Sequence, residues 1–357
     1  MRTPLKRIRE EMNAKGFDAL LVTSEINQRY TSGFHFTDGL VLVTKSDAHL
    51  LTDFRYEEAA ENSVGKEFTV TTTRERSAYL KDAVSALGVK TIGFEGNSLS
   101  YAGYNRFKEI FESCELVNAG GLLEEIRQIK TPDELEKIAK AQNIADRAFA
   151  HVVKNLRTDM TELEVAYELE YAMRREGAEG FSFDTIAVSG DASALPHGVP
   201  RNEKLHKGFL TMDFGAKFDG YCSDMTRTVV IGKATPEIKK LYNTVLSAQL
   251  AALEYLSEGK DAGEADKKAR DVIDAVPEYV GAFGHALGHS VGLEVHEAPT
   301  LSPRSFGRAL RVGEILTVEP GIYLAGKYGC RIEDMVEIRE DGVRNFASSP
   351  KELIEIC

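Results

Sequence analysis

Short apolar runs alternate with segments of helical periodicity along the first third of the chain. Residues 5–15 have the apolar spacing of an amphipathic helix that ends near Gly16. Strands are predicted at residues 18–23, 39–45, 48–52, 68–73, 89–94 and 115–117, with helices between them. This alternation predicts a compact α/β domain over residues 1–126.

A second domain, residues 127–357, is predicted to begin with two capped helices. Thr131 is followed by Pro132 and, three residues after the cap, by Glu134, which is typical of a helix start. Helices are predicted at residues 131–155, 161–175, 236–256 and 262–275. Strands are predicted at residues 182–189, 209–214, 221–231, 315–319 and 330–339. The whole chain is therefore predicted to be an α/β (α+β) protein of two domains, as its length of 357 residues also suggests.

Two aspartates, Asp213 and Asp224, lie on either side of a turn signal at Asp219 and Gly220. Strands joined at this turn would bring the two carboxylates near each other across the ladder. Like charges that face each other destabilise a hairpin, and a cation between them reverses the sign of the interaction. The apolar residues that flank both aspartates argue against two solvated strand acids. The pair therefore predicts a metal site.

Three further groups could complete this site. His289 lies in a glycine-rich segment, and the glycines favour an extended conformation, so His285 and His289 need not share a metal. Glu319 ends an apolar run just before Pro320. Strand alternation places Glu333 on the same face as Arg331, and a plain surface ion pair is the alternative for these two. Four carboxylates and one imidazole favour two divalent ions, most simply Mn²⁺, with Co²⁺, Fe²⁺ and Zn²⁺ as alternatives.

Composition narrows the possible functions. A net charge of −12 and a pI of about 5.3, without a basic stripe, argue against a nucleic-acid partner. The first apolar run, residues 19–22, is too short for a signal peptide or a membrane span. Four scattered cysteines predict a reducing compartment, the cytoplasm. Cys222 and Cys330 are interpreted as small core residues beside the site, with a thiolate ligand or redox role as the alternative.

The motifs around these residues resemble one family. They are residues 195–198 (LPHG), 212–215 (MDFG), 223–227 (SDMTR), 288–289 (GH), 295–297 (VHE), 318–323 (VEPGIY) and 331–334 (RIED). Together they are similar to the proline-directed branch of the pita-bread metallopeptidases, which comprises Xaa-Pro aminopeptidases and Xaa-Pro dipeptidases (prolidases). Residues 27–34 and 53–56 more loosely resemble the creatinase-like domain that precedes the pita-bread domain in this family. Ala286 and Ser290, beside His289, depart from many relatives and could reshape the pocket.

The resemblance implies a role for each matching residue. Asp213 would chelate one metal, His289 and Glu319 the other, and Asp224 and Glu333 would bridge both. Glu319 would also guide the proton of the attacking water. His296 and His285 would bind the substrate carbonyl or the tetrahedral intermediate. His197 would line the proline pocket, Tyr323 would form a wall, and Arg331 would support the site.

The implied reaction is cleavage between an N-terminal residue and a following proline, in peptides with proline at the second position. Aminopeptidase activity is the preferred interpretation, because residues 53–56 resemble the aminopeptidases of this family more than its dipeptidases. Restriction to dipeptides is the alternative, with Arg304 and Arg311 as candidates to bind the carboxylate of a C-terminal proline. Creatinase and non-catalytic pita-bread binding proteins are disfavoured because all five ligands are intact, and methionine aminopeptidases usually lack the N-terminal domain. A homodimer is also implied, with the loop of His35 and Asp38 near the neighbour's site.

Overall fold

A computed structural model describes residues 3–357, which form two compact units, one ending at Ile126 and the other comprising Arg127–Cys357. The first unit is built from helices and strands in alternation. In chain order they are α1 (Pro4–Lys15), β1 (Ala19–Val22), α2 (Glu25–Ser32), β2 (Leu40–Thr44), β3 (Ala48–Leu51), α3 (Glu57–Ser63), β4 (Phe68–Thr71), α4 (Arg76–Ala86), β5 (Thr91–Phe94), α5 (Tyr101–Ile110), β6 (Glu115–Asn118) and α6 (Leu122–Arg127), the last residue of which belongs to the second unit.

The strands of the first unit form one mixed sheet in the order β4–β3–β2–β1–β5–β6. Pairs β1–β2 and β2–β3 are antiparallel, and the other pairs are parallel. Strands β1 and β2 are buried along their whole length, which explains why they appear in the sequence as unbroken apolar runs. Each predicted strand of this unit is present, with ends that differ by a few residues.

The second unit begins with α7 (Pro132–Asn155) and α8 (Glu162–Arg175). The N-termini of these helices have capping boxes at Thr131 and Thr161, respectively. The elements that follow are β7 (Gly180–Phe181), β8 (Ile186–Ser189), β9 (Gly208–Phe214), β10 (Ala216–Phe218), β11 (Tyr221–Cys222), β12 (Met225–Ile231), α9 (Pro236–Tyr255), α10 (Ala262–Asp274), β13 (Gly288–Ser290), β14 (Glu297–Leu301), β15 (Ile315–Val318), β16 (Gly321–Leu324), β17 (Tyr328–Arg331), β18 (Asp334–Arg339), β19 (Gly342–Asn345) and β20 (Glu355–Ile356).

Two helix pairs cover the strands of the second unit. The apolar faces of α7 and α8 pack against β9 and β12, which lie in a sheet of order β20–β12–β9–β8. The apolar faces of α9 and α10 pack against β15, β17 and β18. Burial of these faces is the main source of stability for such layers. Among residues 3–357, no helix combines the length and apolarity that a bilayer crossing requires.

Two predicted strands are interrupted in the structure. The predicted strand 221–231 is divided into β11 and β12 at Ser223 and Asp224, because β11 pairs with β10 whereas β12 pairs with β9. The predicted strand 330–339 is divided into β17 and β18 at Ile332 and Glu333, because β17 pairs with β16 whereas β18 pairs with β15. In both places the chain changes its hydrogen-bonded neighbour at a predicted metal ligand.

A buried carboxylate fixes the segment that carries His197. Glu162 accepts hydrogen bonds from the backbone N–H and hydroxyl of Ser189 and from the backbone and guanidinium of Arg201. Burial raises the pKa of Glu162, but the hydrogen bonds from Arg201 and Ser189 outweigh it, so the net pKa is lowered. The carboxylate therefore connects the start of α8 to both ends of the segment 189–201.

Replacing this carboxylate is expected to destabilise the fold in a pH-dependent way. Glu162→Gln leaves the donors of Ser189 and Arg201 poorly matched and should cost about 2 kcal/mol at pH 7. Because the folded pKa is below the unfolded value, the advantage of the natural residue is present above that value and is lost as pH falls through the folded pKa. Urea unfolding of both proteins at several pH values measures the difference. A difference that grows on acidification would contradict this account.

Candidate metal centre

The two aspartates reach the same place from neighbouring strands. Asp213 lies on β9, where its cross-strand partner on β12 is Thr226. Asp224 lies two residues before Thr226, at the break between β11 and β12. The turn at Asp219 and Gly220 joins the short strands β10 and β11, and the two aspartates lie beyond this short hairpin. The aspartates are diagonal neighbours and do not face each other directly.

The two glutamates come from the end of another ladder. Val318 on β15 pairs with Asp334 on β18, so Glu319 and Glu333 follow and precede this pair at one end of the ladder. The backbone N–H of Glu333 donates to the carbonyl of Thr226, which connects this ladder to β12. Glu333 also accepts a hydrogen bond of 2.7 Å from the Thr226 hydroxyl. Thr226 thus stands between the strands that carry all four acids.

His289 reaches the acids because β13 packs closely on β15. A Cβ atom at Gly288 would lie 2.0 Å from the Thr317 carbonyl oxygen, so only glycine permits this approach. The backbone N–H of His289 donates to the Thr317 hydroxyl, and that of Glu319 donates to the Leu287 carbonyl. The prediction of an extended segment at His289 agrees with this geometry.

The imidazole of His289 is oriented toward the carboxylates. Its Nδ1 is 3.1 Å from the Ser290 carbonyl, an acceptor only, so Nδ1 carries the proton and Nε2 keeps its lone pair. Nε2 lies 3.4 Å from Glu319 Oε1 and 3.6 Å from Asp224 Oδ2. Ligand atoms of Asp224, His289 and Glu333 all lie within 4.8 Å of one another. These separations suit atoms that share a cation.

The electrostatics of the acids also fit bound cations. Burial, followed by repulsion from Glu333 and Asp213, raises the pKa of Asp224 well above its usual value. Burial and the charges of Glu319 and Asp213 do the same for the pKa of Glu333. Burial and the charge of Asp213 raise the pKa of Glu319 to about 8. Asp213 Oδ1 is buried without a hydrogen-bond partner among the described residues. Four crowded acids and an orphaned oxygen are the donor set that divalent metal ions require.

Arg331 is the main support of the acids. It is buried, and it donates to Asp213 Oδ2 at 2.6 Å, to the Thr226 hydroxyl at 2.9 Å and to the Tyr323 hydroxyl at 2.8 Å. The alternative of a surface Arg331–Glu333 pair is wrong, because both residues are buried and Arg331 bonds Asp213 instead. Arg227, also buried, donates to the Glu333 carbonyl at 2.5 Å and to Asp334.

The sequence did not single out Thr226 or Arg227 for these positions. Strand alternation does contain the signal for Thr226, since it lies two residues from Asp224 and so on the same face. No local pattern connects Arg227 to the backbone of Glu333, because the two segments are 106 residues apart.

The three other candidate histidines line a cavity of about 530 Å³ together with the five candidate ligands and Arg331. They are His197, His285 and His296. His197 and His296 are exposed to this cavity. The rings of His296 and His289 are 4.3 Å apart. No group among residues 3–357 hydrogen-bonds to the side chain of His197 or His296. Both imidazoles therefore have ring nitrogens available to a further partner.

His285 differs from these two histidines because both of its nitrogens are engaged. Nδ1 bonds the Ala286 carbonyl at 2.8 Å, so Nε2 accepts from the Tyr323 hydroxyl at 3.0 Å. Burial lowers the pKa of His285 to about 4, which keeps the ring neutral. The predicted substrate contact from His285 is not supported by this geometry. The resemblance implied that Tyr323 forms a wall, but Tyr323 is not among the residues that line the cavity. Its hydroxyl connects Arg331 to His285.

The remaining candidates lie outside the cavity. Arg304 is exposed in a short 3₁₀ helix, and Arg311 is paired with Glu314 and with Gln128. Cys222 and Cys330 are fully buried, and burial raises the pKa of their thiols to about 11 and about 12. All four cysteines are free. The buried pair behaves as core residues, not as thiolates.

Comparison with known proteins agrees with the fold. Residues 136–340 match the model of metallopeptidase family M24, and residues 4–129 match the creatinase/prolidase N-terminal domain. The Xaa-Pro dipeptidase of Pyrococcus furiosus is 36% identical over 99% of this chain and 100% of that protein. The structure of an Xaa-Pro dipeptidase from Bacillus anthracis is 40% identical and superposes with a TM-score of 0.94 over 99% of both chains. That of an X-Pro aminopeptidase from Thermotoga maritima is 36% identical, with a TM-score of 0.92 over 97% of this chain and 100% of that one.

These matches confirm the predicted resemblance and the predicted fold class, a creatinase-type N-terminal domain followed by a pita-bread domain. The chain belongs to metallopeptidase family M24.

Proposed function

We propose that this protein hydrolyses the bond between an N-terminal residue and proline, and that dipeptides are its preferred substrates. The observation that carries the reaction is the convergence of Asp213, Asp224, His289, Glu319 and Glu333 on one cavity. The preference for dipeptides is supported by full-length relatives described as Xaa-Pro dipeptidases. Sequence reasoning favoured the aminopeptidase, and these relatives favour its alternative.

The five groups would hold two divalent metal ions, for which Mn²⁺ is the proposed species. Asp213 would bind one ion, His289 and Glu319 the other, and Asp224 and Glu333 would contact both. The metals would supply Lewis acidity and a water of lowered pKa. The Arg331 guanidinium keeps Asp213 in place and offsets its negative charge, and the Thr226 hydroxyl orients Glu333 by a hydrogen bond.

The protein's own groups would handle the substrate and the protons. Glu319 would accept the proton of the attacking water and return it to the leaving proline nitrogen. His296 would donate a hydrogen bond to the developing oxyanion, and His197 would contact the proline side. Proline offers no amide N–H after the first residue, so the site needs no acceptor for one. His285 would hold Tyr323 and through it Arg331.

An aminopeptidase is the second candidate because of the charges in the cavity. Among the described residues, Arg331 is the only lysine or arginine that lines it, and each of its three nitrogens already donates a hydrogen bond within the protein. The carboxylate of a dipeptide would therefore have His197 or His296 as its partner in this unit. A longer substrate would present no charge there.

Paired substrates can separate the two candidates. With the Mn²⁺-loaded protein we expect kcat/KM for Ala-Pro to exceed that for Ala-Pro-Ala by about tenfold or more, the effect of one satisfied charge contact. Ala-Pro amide, which lacks only the carboxylate charge, is the matched control and should behave like the tripeptide. Equal or faster cleavage of the tripeptide would assign the aminopeptidase instead.

We further propose that residues 1–126 and 127–357 are the N-terminal and catalytic domains, and that the protein is a cytoplasmic homodimer. The two compact units and the two family matches support the domain division.

A further inference from the structure

Three charged side chains are buried together in the second unit, outside the cavity wall. The side chains of Lys130, Arg127 and Glu297 are only 1%, 4% and 7% exposed. Glu297 Oε2 lies 3.2 Å from Lys130 Nζ, and Oε1 accepts from the Arg127 guanidinium. Arg127 also reaches Glu294 at 2.9 Å. We refer to Arg127, Lys130 and Glu297 as the buried charge cluster.

A buried charge cluster is costly to form, and its contribution to stability is often no better than that of apolar residues of equal size. Burial raises the pKa of Glu297, but the positive charges of Lys130 and Arg127 outweigh it and lower the net pKa. The carboxylate is therefore ionised and held from two sides. Such a rigid arrangement is better suited to fix a geometry than to increase stability.

The cluster is connected to His289 through Ser290. Lys130 Nζ donates to the Ser290 hydroxyl at 3.0 Å. The carbonyl of the same serine accepts the Nδ1 hydrogen bond of His289 at 3.1 Å, the bond that sets the tautomer and the ring plane. Ser290 is thus fixed by its side chain while its main chain orients the imidazole. This gives a physical role to a residue by which the sequence departs from many relatives.

The cluster is connected to His296 through the loop between β13 and β14. Glu297 directly follows His296 and pairs with Ser290 across an irregular register. A Cβ atom at Gly292 would lie 2.6 Å from the Glu297 carboxylate oxygens, so the loop closes tightly over this carboxylate. The loop begins after Ser290 and ends at His296. Anchoring of Glu297 therefore fixes both ends of the segment that separates the two histidines.

We propose that Arg127, Lys130 and Glu297 are positioning residues that set the relative orientation of His289 and His296, although they touch neither metal nor substrate. This inference rests on the metal site proposed above and is independent of which peptide is cleaved.

The test is the substitution Glu297→Gln, which keeps the shape and removes the charge. We expect the affinity of the metal-stripped protein for Mn²⁺, measured by isothermal titration calorimetry, to fall about 10- to 100-fold, as is typical when the partner of a ligand is lost. The visible spectrum of the Co²⁺-loaded protein should change because the imidazole is rotated. Since His296 would act on the oxyanion, kcat should fall more than KM changes.

Two further variants keep the test decisive. Glu314→Gln is the matched control, because Glu314 is equally buried and paired with Arg308 and Arg311 but lies outside the cavity. It should lose thermal stability while its Mn²⁺ affinity and Co²⁺ spectrum stay those of the natural protein. Ser290→Ala breaks only the contact to Lys130 and decides the matter if Glu297→Gln does not fold.

The outcomes can be separated from those of the proposed function. Weaker Mn²⁺ binding in Glu297→Gln or Ser290→Ala, but not in Glu314→Gln, supports the inference even if the natural protein cleaves no proline peptide. Unchanged Mn²⁺ affinity and an unchanged Co²⁺ spectrum in the folded variants would overturn it, whatever the activity.

Discussion

Removal of divalent metal is expected to abolish peptide hydrolysis completely. Without cations, the crowded carboxylates Asp224, Glu319 and Glu333 take up protons, as their raised pKa values indicate, and no activated water is formed. The protein should be stripped with a chelator, its metal content measured by mass spectrometry, and its activity followed as Mn²⁺ or Co²⁺ is returned. Activity should reappear as metal approaches two equivalents per chain.

Thermal unfolding provides a second measurement of the same event. Ions that bind only the folded state stabilise it by about 2.7 kcal/mol at a free concentration of 100 times Kd. The stripped protein should therefore melt at a lower temperature, and Mn²⁺ should restore the original Tm. A protein treated in parallel without chelator is the control. Undiminished activity in verified metal-free protein would rule out the mechanism.

Glu319→Gln is expected to reduce kcat by about 100- to 10,000-fold, the range for loss of a general base. The amide has nearly the same shape, so packing against Thr317 and β15 is retained, but it cannot accept the proton of water. Stopped assays with Mn²⁺-saturated protein should show the loss mainly in kcat.

The matched control is Glu337→Gln, since Glu337 is a buried glutamate of β18 that pairs with Arg339 and Arg344 away from the cavity. It should keep a kcat close to that of the natural protein. If Glu319→Gln retained more than about a tenth of kcat, another group would have to be the base.

The regular elements of the chain could be predicted because their signals are local. Capping boxes at Thr131 and Thr161 marked two helix starts that the structure reproduces. The apolar runs of β1 and β2 marked two buried strands. The acids that line the cavity could also be singled out, because carboxylates within apolar strands are unusual.

What the sequence could not predict depends on pairing between distant segments. Runs 221–231 and 330–339 are suited to unbroken strands, yet each changes neighbour, at Asp224 and at Glu333. Only the sheet partners, β9 and β10 or β15 and β16, impose these breaks. The same limit applies to His285, whose motif suggests substrate binding but whose nitrogens are taken by Ala286 and Tyr323.

The engaged state of His285 has a consequence for inhibitor design. Apart from Nε2 of the candidate ligand His289, a compound placed in the cavity would find open imidazole nitrogens only at His197 and His296, and a neutral ring without a spare donor at His285. Acceptor groups should therefore be directed toward the first two, whereas a compact hydrocarbon substituent suits the third. Compounds that position a polar arm against His285 would have to disrupt Tyr323 and Arg331 and should lose potency accordingly.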